Sequence, residues 1–435
     1  MNPQQISLTQ GSIWKAILFF AFPIFLGQVF QQLYNTFDAW CVGYFINDNA
    51  MGAVTSSGSL IFLMVSFFNG LAMGAGVVIA RYYGAKNDDA VSKTIHTAIA
   101  FGLCTGTALT VAGITCTPII LRWMGAPEDT MVYSIPYFRF YFCGAIFTVM
   151  YNIFVGIHHA VGDSKHPLYY LICSTMVNIV LDLLFVGVMG FGVGSAALAT
   201  TISQGISALL CCIHLMRSTG PARLYLRKIR FHWKNLQEII RYGLPSAIQN
   251  SVIALANVVV QSNIFAFGPD AVNGCGAYSK LEGFAFLPVM CFSQSLSTFT
   301  GQNLGAEQHD RVKKGVGFGI VCSLIMAQIV GLLSYIFAPQ LIGFFAKSEA
   351  AIAYGTQHMR TICLFYFLLA FSHCIAGIMR GAGKATVPMI TMLACWCLIR
   401  VTYITIAVNF VRELETVSWA YPITWTCSSI IFLIY

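Results

Sequence analysis

Residues 302–314 read QNLGAEQHDRVKK and resemble residues 81–93, which read RYYGAKNDDAVSK. At a shift of 221 residues the two stretches share Gly, Ala, Asp, Val and Lys at matching positions. The same shift places GIHHAVGDSKHP, residues 156–167, on GIMRGAGKATVP, residues 377–388, with Gly, Ile, Gly and Pro in common. One constant shift across separate stretches indicates that the chain is a duplication and folds as two related halves.

The composition around these polar stretches is typical of a membrane protein. Of the 435 residues, 24 are Lys or Arg and 16 are Asp or Glu, so 9% are charged, against about 25% in soluble domains. Hydrophobic residues make up 57%, and the mean hydropathy is +0.73. These values exclude a soluble enzyme, a disordered chain and a secreted disulfide scaffold. The 15 cysteines lie mostly in apolar runs without a Cys-x-x-Cys pair, so we interpret them as small buried hydrophobic residues.

Apolar stretches long enough to cross a bilayer, about 20 residues each, recur along the whole chain. The predicted spans are residues 15–45, 52–80, 94–118, 132–157, 167–187, 194–216, 240–267, 272–300, 315–337, 351–378, 385–410 and 416–435. They predict an all-α membrane protein of twelve transmembrane helices in two six-helix lobes, 1–216 and 240–435, joined by a cytoplasmic linker at 217–239. Because each half has an even number of spans, both copies enter from the same side and are related by a pseudo-two-fold axis along the membrane normal.

The distribution of basic residues predicts the orientation. With both termini in the cytoplasm, 17 of the 24 basic residues fall on the cytoplasmic side, three on the outside and four within spans. This bias follows the positive-inside rule, so we expect a multi-pass protein of the inner (plasma) membrane with cytoplasmic termini. The basic residues lie in short loops rather than on one folded face, which argues against nucleic-acid binding. The chain stops inside the last span, so we expect the natural protein to be slightly longer.

Several motifs give the chain a family resemblance. The most specific are GQNLGAEQHDRV at 301–312, its weaker partner ARYYGAKNDDAV at 80–91, and GAGKATVP at 381–388. With PIFLGQVFQQLYNTFDAWCVG at 23–43 and NIVLD at 178–182, they make the whole chain similar to the multidrug and toxic compound extrusion (MATE) family, particularly its prokaryotic DinF-like branch. The resemblance implies a twelve-helix exporter with two six-helix lobes.

Only three of the 16 carboxylates lie well inside predicted spans: Asp38, Asp182 and Glu282. An ionisable group in a bilayer costs about 2.5–3.5 kcal/mol on insertion scales, so each is a candidate functional group. The helical rise places Asp38 and Asp182 in the outer half of the membrane, at the level of Thr200. Tyr34 lies four residues before Asp38 and therefore on the same helix face. Asn178 has the same relation to Asp182.

This residue set favours cation binding. Carboxylate, amide and hydroxyl oxygens suit a hard cation such as Na⁺, and an apolar environment favours a neutral carboxyl group, which carries a proton. In the family, the resemblance implies, matching positions form the cation site of the N-terminal lobe: Tyr34, Asp38, Asn178, Asp182 and Thr200. From the residues alone, Asp182 has an alternative role as a structural group bonded to neighbouring backbone. We therefore predict H⁺ or Na⁺ as the coupling ion, Na⁺ at Asp38 and Asp182 as the only metal, and no cofactor.

The second half lacks this cluster. At the repeat shift its residues become Val260, Ile399 and Tyr403. It carries instead Glu282 and Arg400 at similar depths, which we interpret either as a structural ion pair or as a charge site for a cationic substrate.

Two adjacent histidines invite a metal interpretation. His158 and His159 lie at the inner end of the fourth span, beside Asp163. No third ligand follows at metal spacing, so we interpret them as ordinary loop histidines.

These patterns predict a secondary antiporter, not an enzyme. It is expected to act as a monomer in the lipid bilayer and to export amphipathic, often cationic small organic compounds in exchange for inward H⁺ or Na⁺ by alternating access. A flippase for lipid-linked precursors, from the same broader superfamily, is the alternative, although it requires several cationic residues in the cleft. An intramembrane enzyme requires clustered catalytic groups on a span, and the sequence offers no such cluster.

Pro23 is the predicted hinge. It removes a backbone hydrogen bond inside the first span, about four turns before Asp38, so this helix is the natural place for a bend. The resemblance points the same way, because protonation of the matching acid in the family has been associated with bending at the matching proline. A static kink needed only for packing is the alternative.

We predict that a reporter inserted between Arg217 and Arg241 is cytoplasmic, because seven basic residues lie in this loop. The measurement is the activity of a compartment-specific fusion, paired with labelling of an introduced cysteine by a membrane-impermeant reagent. Labelling of that cysteine from outside the cell would reverse the orientation.

Overall fold

The structure is a computed structural model that describes residues 7–45, 48–123, 128–192 and 194–435. Within these ranges all regular secondary structure is helical, which confirms the predicted all-α class. The first half contains α1 (Ile13–Phe45), α2 (Asp48–Gly84), α3 (Asp88–Trp123), α4 (Glu128–Cys143), α5 (Ala145–Ala160), α6 (Lys165–Asp182) and α7 (Gly194–Arg217). The second half contains α8 (Trp233–Ile264), α9 (Pro269–Ala285), α10 (Leu287–Gly305), α11 (His309–Ile336), α12 (Ala338–Gly343), α13 (Glu349–Cys363), α14 (Tyr366–Gly381), α15 (Thr386–Met392), α16 (Arg400–Phe410) and α17 (Leu414–Ile434).

The helices of the two halves begin at corresponding residues. Helices α2, α3, α4, α5 and α6 begin 221 residues before α9, α11, α13, α14 and α15, respectively. The turns correspond as well, since Gly162 and Gly383 both have positive φ angles, 86° and 79°. This left-handed conformation favours glycine, which explains why both copies of the motif keep it. The duplication inferred from the sequence is therefore present in the fold.

The membrane spans agree with the prediction in number and place. The described residues contain nine helices long and apolar enough to cross a membrane, and eleven if each of two bent helix pairs counts as one span. The bent pairs, α4–α5 and α13–α14, occupy corresponding positions in the two halves and bend by 46° and 54°. The remaining predicted span, 272–300, covers α9 and α10, which adjoin at Phe286.

The chain divides into two compact units. The first contains Phe22–Ala247, and the second contains Leu8–Ala21 and Ile248–Tyr435. Helix α1 thus changes unit next to Pro23, and α8 changes unit two residues after Pro245. These limits fall inside helices, whereas the predicted division fell in a loop, and the predicted lobe boundaries remain a prediction.

The polar motif after α10 holds the segment that precedes α1, within the second unit. Arg311 donates hydrogen bonds at 2.7–3.1 Å to three backbone carbonyl oxygens, those of Leu8, Gln10 and Gly11. Asn303 donates a further bond of 3.2 Å to the carbonyl oxygen of Leu8. The residues that mark the family resemblance therefore anchor the chain terminus.

The matching motif after α2 does the same for the start of α8, within the first unit. The hydroxyl group of Tyr82 lies 2.9–3.0 Å from both carboxylate oxygens of Glu238. The guanidinium of Arg81 donates to the hydroxyl oxygen of Tyr242 at 3.2 Å. Each motif thus fixes the beginning of the first helix of the other half.

We predict that Gly377→Ala destabilises the protein by about 1–3 kcal/mol through overpacking. A Cβ atom at Gly377 on α14 would lie 2.3 Å from the carbonyl oxygen of Ser293 on α10. The matched control is Gly317→Ala on α11, where a Cβ meets nothing within 4 Å, and helix propensity favours alanine there by about 1 kcal/mol. Thermal unfolding of the purified variants checks this, and equal melting temperatures would contradict the close contact.

Candidate cation site

The five predicted site residues are all buried in the first unit, each with less than a tenth of its surface exposed. They lie on three helices, α1, α6 and α7: Tyr34, Asp38, Asn178, Asp182 and Thr200. Five polar side chains buried in one apolar unit are costly unless they have partners or a ligand.

The structure brings the two carboxylates together. Asp38 and Asp182 lie close enough for their charges to interact. The hydroxyl group of Tyr34 lies within electrostatic range of Asp38 and of the hydroxyl groups of Thr200 and Ser203. Two neighbouring carboxylates in an apolar environment repel each other unless a proton or a metal cation neutralises them.

Most polar atoms of this cluster lack hydrogen-bond partners among the described residues. Both oxygens of Asp182, both amide atoms of Asn178, one oxygen of Asp38 and the hydroxyl group of Tyr34 are buried without one. Buried polar groups in folded proteins are nearly always satisfied, so an orphaned set of this size indicates a place for a ligand. The alternative role of Asp182, a structural bond to neighbouring backbone, is not formed.

The hydroxyl groups on α7 are oriented as acceptors. Thr200 donates its proton to the carbonyl oxygen of Ala196 at 3.1 Å, and Ser203 donates to that of Ala199 at 2.9 Å. Each hydroxyl oxygen keeps its lone pairs for another partner. The donor set is therefore rich in oxygen, as Na⁺ requires, and its carboxylates also accept protons.

Two tyrosines of α4 join the cluster that the sequence predicted without them. Tyr137 lies within electrostatic range of Asp38, Asp182 and Tyr34, and Tyr141 lies within range of Asp38. The two tyrosines are four residues apart and share a helix face, the same spacing that relates Tyr34 to Asp38. That spacing was the available signal, although nothing in the sequence assigns α4 to this contact.

The backbone changes form directly after Asp182. Residues Leu183–Val188 form a π-helix that continues α6. Such π-helical turns are frequent at functional sites because they interrupt the regular α-helical hydrogen bonds. No feature of the sequence predicted this turn.

The charged residues of the second unit have hydrogen-bond partners. Glu282 accepts a hydrogen bond from the hydroxyl group of Tyr278 at 2.9 Å. The guanidinium of Arg400 donates to Asn257 at 3.2 Å and to Thr424 at 3.0 Å. Glu282 and Arg400 influence each other electrostatically, but each takes its hydrogen bonds from other residues.

Comparisons with known proteins agree with the fold and the repeat. A sequence model of the family described as MatE matches the chain twice, at residues 23–184 and 245–406. The chain is 28% identical over 397 residues to the probable multidrug resistance protein YoeA of Bacillus subtilis, which covers 89% of this chain and 86% of the relative.

Two solved structures show the same fold. A MOP superfamily transporter from Pyrococcus furiosus, whose binding pocket is described as having reversed polarity, gives a TM-score of 0.94 at 22% identity, over 100% of this chain and 97% of that one. An outward-facing multidrug resistance MATE family transporter gives 0.93 at 22% identity over the same shares. The likeness confirms the predicted membrane fold of twelve helices in two six-helix lobes.

Proposed function

The chain belongs to the MatE family, and we propose that it is a secondary antiporter that exports amphipathic, often cationic organic compounds in exchange for inward H⁺ or Na⁺. The multidrug resistance relatives support export as the direction of transport. The observation that carries the coupling is the pair of buried, unpartnered carboxylates Asp38 and Asp182. The proposal includes a monomer in the inner membrane with cytoplasmic termini, and membership of the DinF-like branch.

The coupling follows from the electrostatics of the pair. A bound proton or Na⁺ removes the repulsion between the two carboxylates, and its release restores that repulsion. The two states therefore favour different distances between α1 and α6, the helices that carry Asp38 and Asp182. A cation that binds one arrangement better shifts the equilibrium between them, which alternating access requires.

One ion per cycle supplies enough free energy. A charge that crosses 100 mV releases about 2.3 kcal/mol. A tenfold uphill gradient of a neutral substrate requires about 1.4 kcal/mol at 25 °C. The single carboxylate pair of the first unit is therefore sufficient, and the second unit needs no cation site.

We assign a different role to the second unit. Glu282 is buried, and its only printed hydrogen-bond donor is the hydroxyl group of Tyr278, which leaves carboxylate lone pairs for another partner. Arg400 lies 4.5 Å from the ring centroid of Tyr421 and moderates the negative charge of Glu282. This acidic and aromatic environment suits an organic cation, because aromatic faces and carboxylates both attract positive charge.

We predict that Asp38→Asn and Asp182→Asn each abolish gradient-driven efflux, because an amide neither binds a proton nor carries the charge that a cation neutralises. The matched control is Asp89→Asn, which removes an exposed carboxylate from α3 and is expected to transport normally. Dye efflux from inverted vesicles, with pH and Na⁺ gradients imposed separately, measures the effect and identifies the ion.

The same experiment tests the division between units. Glu282→Gln is expected to keep the response to the gradient while weakening transport of cationic dyes about tenfold, with neutral dyes less affected. Full gradient-driven transport in either aspartate variant would overturn the coupling site. Gradient-independent movement of a lipid-linked pyrophosphate would favour the flippase.

We propose Pro23 as the hinge of α1. The helix continues through this buried proline and changes unit between Ala21 and Phe22, beside it. Discharge of Asp38 is proposed to favour a bent α1 that narrows the cavity of the N-terminal lobe and expels substrate outward. The missing hydrogen bond at a proline lowers the free energy of such a bend.

We predict that Pro23→Ala slows efflux several-fold while substrate affinity changes less, because the variant stiffens a moving helix without removing a ligand. Pro245→Ala in α8 is the matched comparison and is expected to have the smaller effect, since the second half lacks the acidic pair. Spin-label distances between α1 and α6 check the motion, and equal distances at alkaline and acidic pH would favour a static kink.

A further inference from the structure

A second cluster of ionisable side chains lies in the first unit, away from the cation site. His158 is in the last turn of α5, Asp163 is in the turn that follows, and His214 is in the last turn of α7. His158 and Asp163 are buried, and the side chain of His214 is 21% exposed. The three residues come from two separate parts of the sequence, which is why its spacing showed no third ligand beside His158.

Their ligand atoms converge. One nitrogen of each histidine and one oxygen of Asp163 all lie within 4.8 Å of one another. The nearest measured pair, Nε2 of His214 and Oδ2 of Asp163, is 3.8 Å apart. Ligands about 2.0–2.2 Å from a tetrahedral Zn²⁺ lie roughly 3.4 Å from each other. Small side-chain rotations therefore suffice to enclose an ion.

The hydrogen bonds of His158 leave one nitrogen available. Its Nδ1 atom lies 2.8 Å from the carbonyl oxygen of Phe154, which only accepts, so Nδ1 carries the proton. In the neutral ring, Nε2 then has a lone pair, and this atom is buried without a hydrogen-bond partner among the described residues. An orphaned nitrogen aimed at two other ligand atoms is unusual in a purely structural cluster.

The other two residues have supporting partners. Nδ1 of His214 lies 2.9 Å from the hydroxyl oxygen of Tyr170, which leaves its Nε2 facing Asp163. The Asp163 carboxylate is oriented by His166, whose Nδ1 lies 2.8 Å from Oδ2 and whose backbone N–H donates to Oδ1 at 3.2 Å. Metal-bound histidines are typically held by such a bond at the second ring nitrogen.

The duplication provides an internal comparison. The corresponding turn of the second half has the same backbone bond, from the N–H of Lys384 to the carbonyl oxygen of Met379 at 2.8 Å. In the first half this bond runs from Asp163 to His158 at 2.9 Å. Met379 and Lys384 cannot replace the histidine and the carboxylate as metal ligands. The turn therefore folds without the cluster, and its geometry does not explain why the cluster is there.

We infer that His158, Asp163 and His214 form a binding site for a divalent transition metal, with Zn²⁺ the ion that fits best. Two imidazole nitrogens and one carboxylate oxygen suit Zn²⁺ better than Na⁺, Mg²⁺ or Ca²⁺, which prefer oxygen ligands. The bound ion would connect the α5–α6 turn to the end of α7, on the side predicted to face the cytoplasm. The site is independent of the transport cycle proposed above.

Zinc binding to the full-length, metal-stripped protein tests this inference. The affinity tag is removed, and Zn²⁺ is titrated in competition with a zinc-responsive dye. His214→Ala is expected to lower the affinity of this site by about 100-fold or more, and Tyr170→Phe by about tenfold, since it removes only the supporting bond. The matched control is His309→Ala, which removes an exposed histidine of α11 and is expected to bind as wild type does. Zn²⁺ is also expected to raise the melting temperature of wild type but not of His214→Ala.

The outcome against the inference is equal zinc affinity in wild type and His214→Ala, or no zinc binding in wild type. Because 15 cysteines are present, Co²⁺ absorption of the wild type provides a second measurement that needs no variant. Visible bands without a thiolate charge-transfer band support nitrogen and oxygen ligands. A thiolate band, or no band, overturns the inference even if His214→Ala misfolds.

Discussion

Hydrocarbon offers no hydrogen bonds, so every polar group inside this protein depends on another group of the same chain. Helices satisfy the backbone, and most buried side chains follow the same rule. Arg400, almost fully buried, donates to Asn257 and Thr424 and lies against an aromatic ring. The carboxylates of Asp38 and Asp182 are the exception, because burial without partners makes them sensitive to any cation that reaches them. The same constraint that stabilises the rest of the fold makes this pair responsive.

The sequence predicted the repeat well because duplication leaves a signal that does not depend on tertiary contacts. Helices that begin 221 residues apart follow directly from that shift. It also predicted the acidic pair, since carboxylates in apolar spans are rare enough to be singled out. Tyr137 and Tyr141 were missed because α4 reaches the cluster through packing between helices, which no local pattern encodes. His214 was missed for the same reason, since it meets His158 only after α5 and α7 pack together.

The two halves use one backbone plan for different chemistry. Matching turns keep the same glycine conformation and the same backbone hydrogen bond, whereas the side chains around them diverge. In the first half the acidic and histidine clusters contain buried atoms without partners. In the second half Glu282 and Arg400 are hydrogen-bonded. Duplication allows this because one copy of a helix plan is free to lose polar groups that the other copy retains.

The anchoring of the chain terminus has a consequence for biosynthesis. Arg311 binds the backbone of Gly11, and 300 residues of chain separate the two. At a synthesis rate of about 5–20 residues per second, the terminal segment waits roughly 15–60 s for its partner to leave the ribosome. During that interval its carbonyl groups must be solvated by water or lipid head groups. Insertion of the first spans and completion of their fold are therefore separate events in time, with the last contacts of the earliest segment formed late in translation.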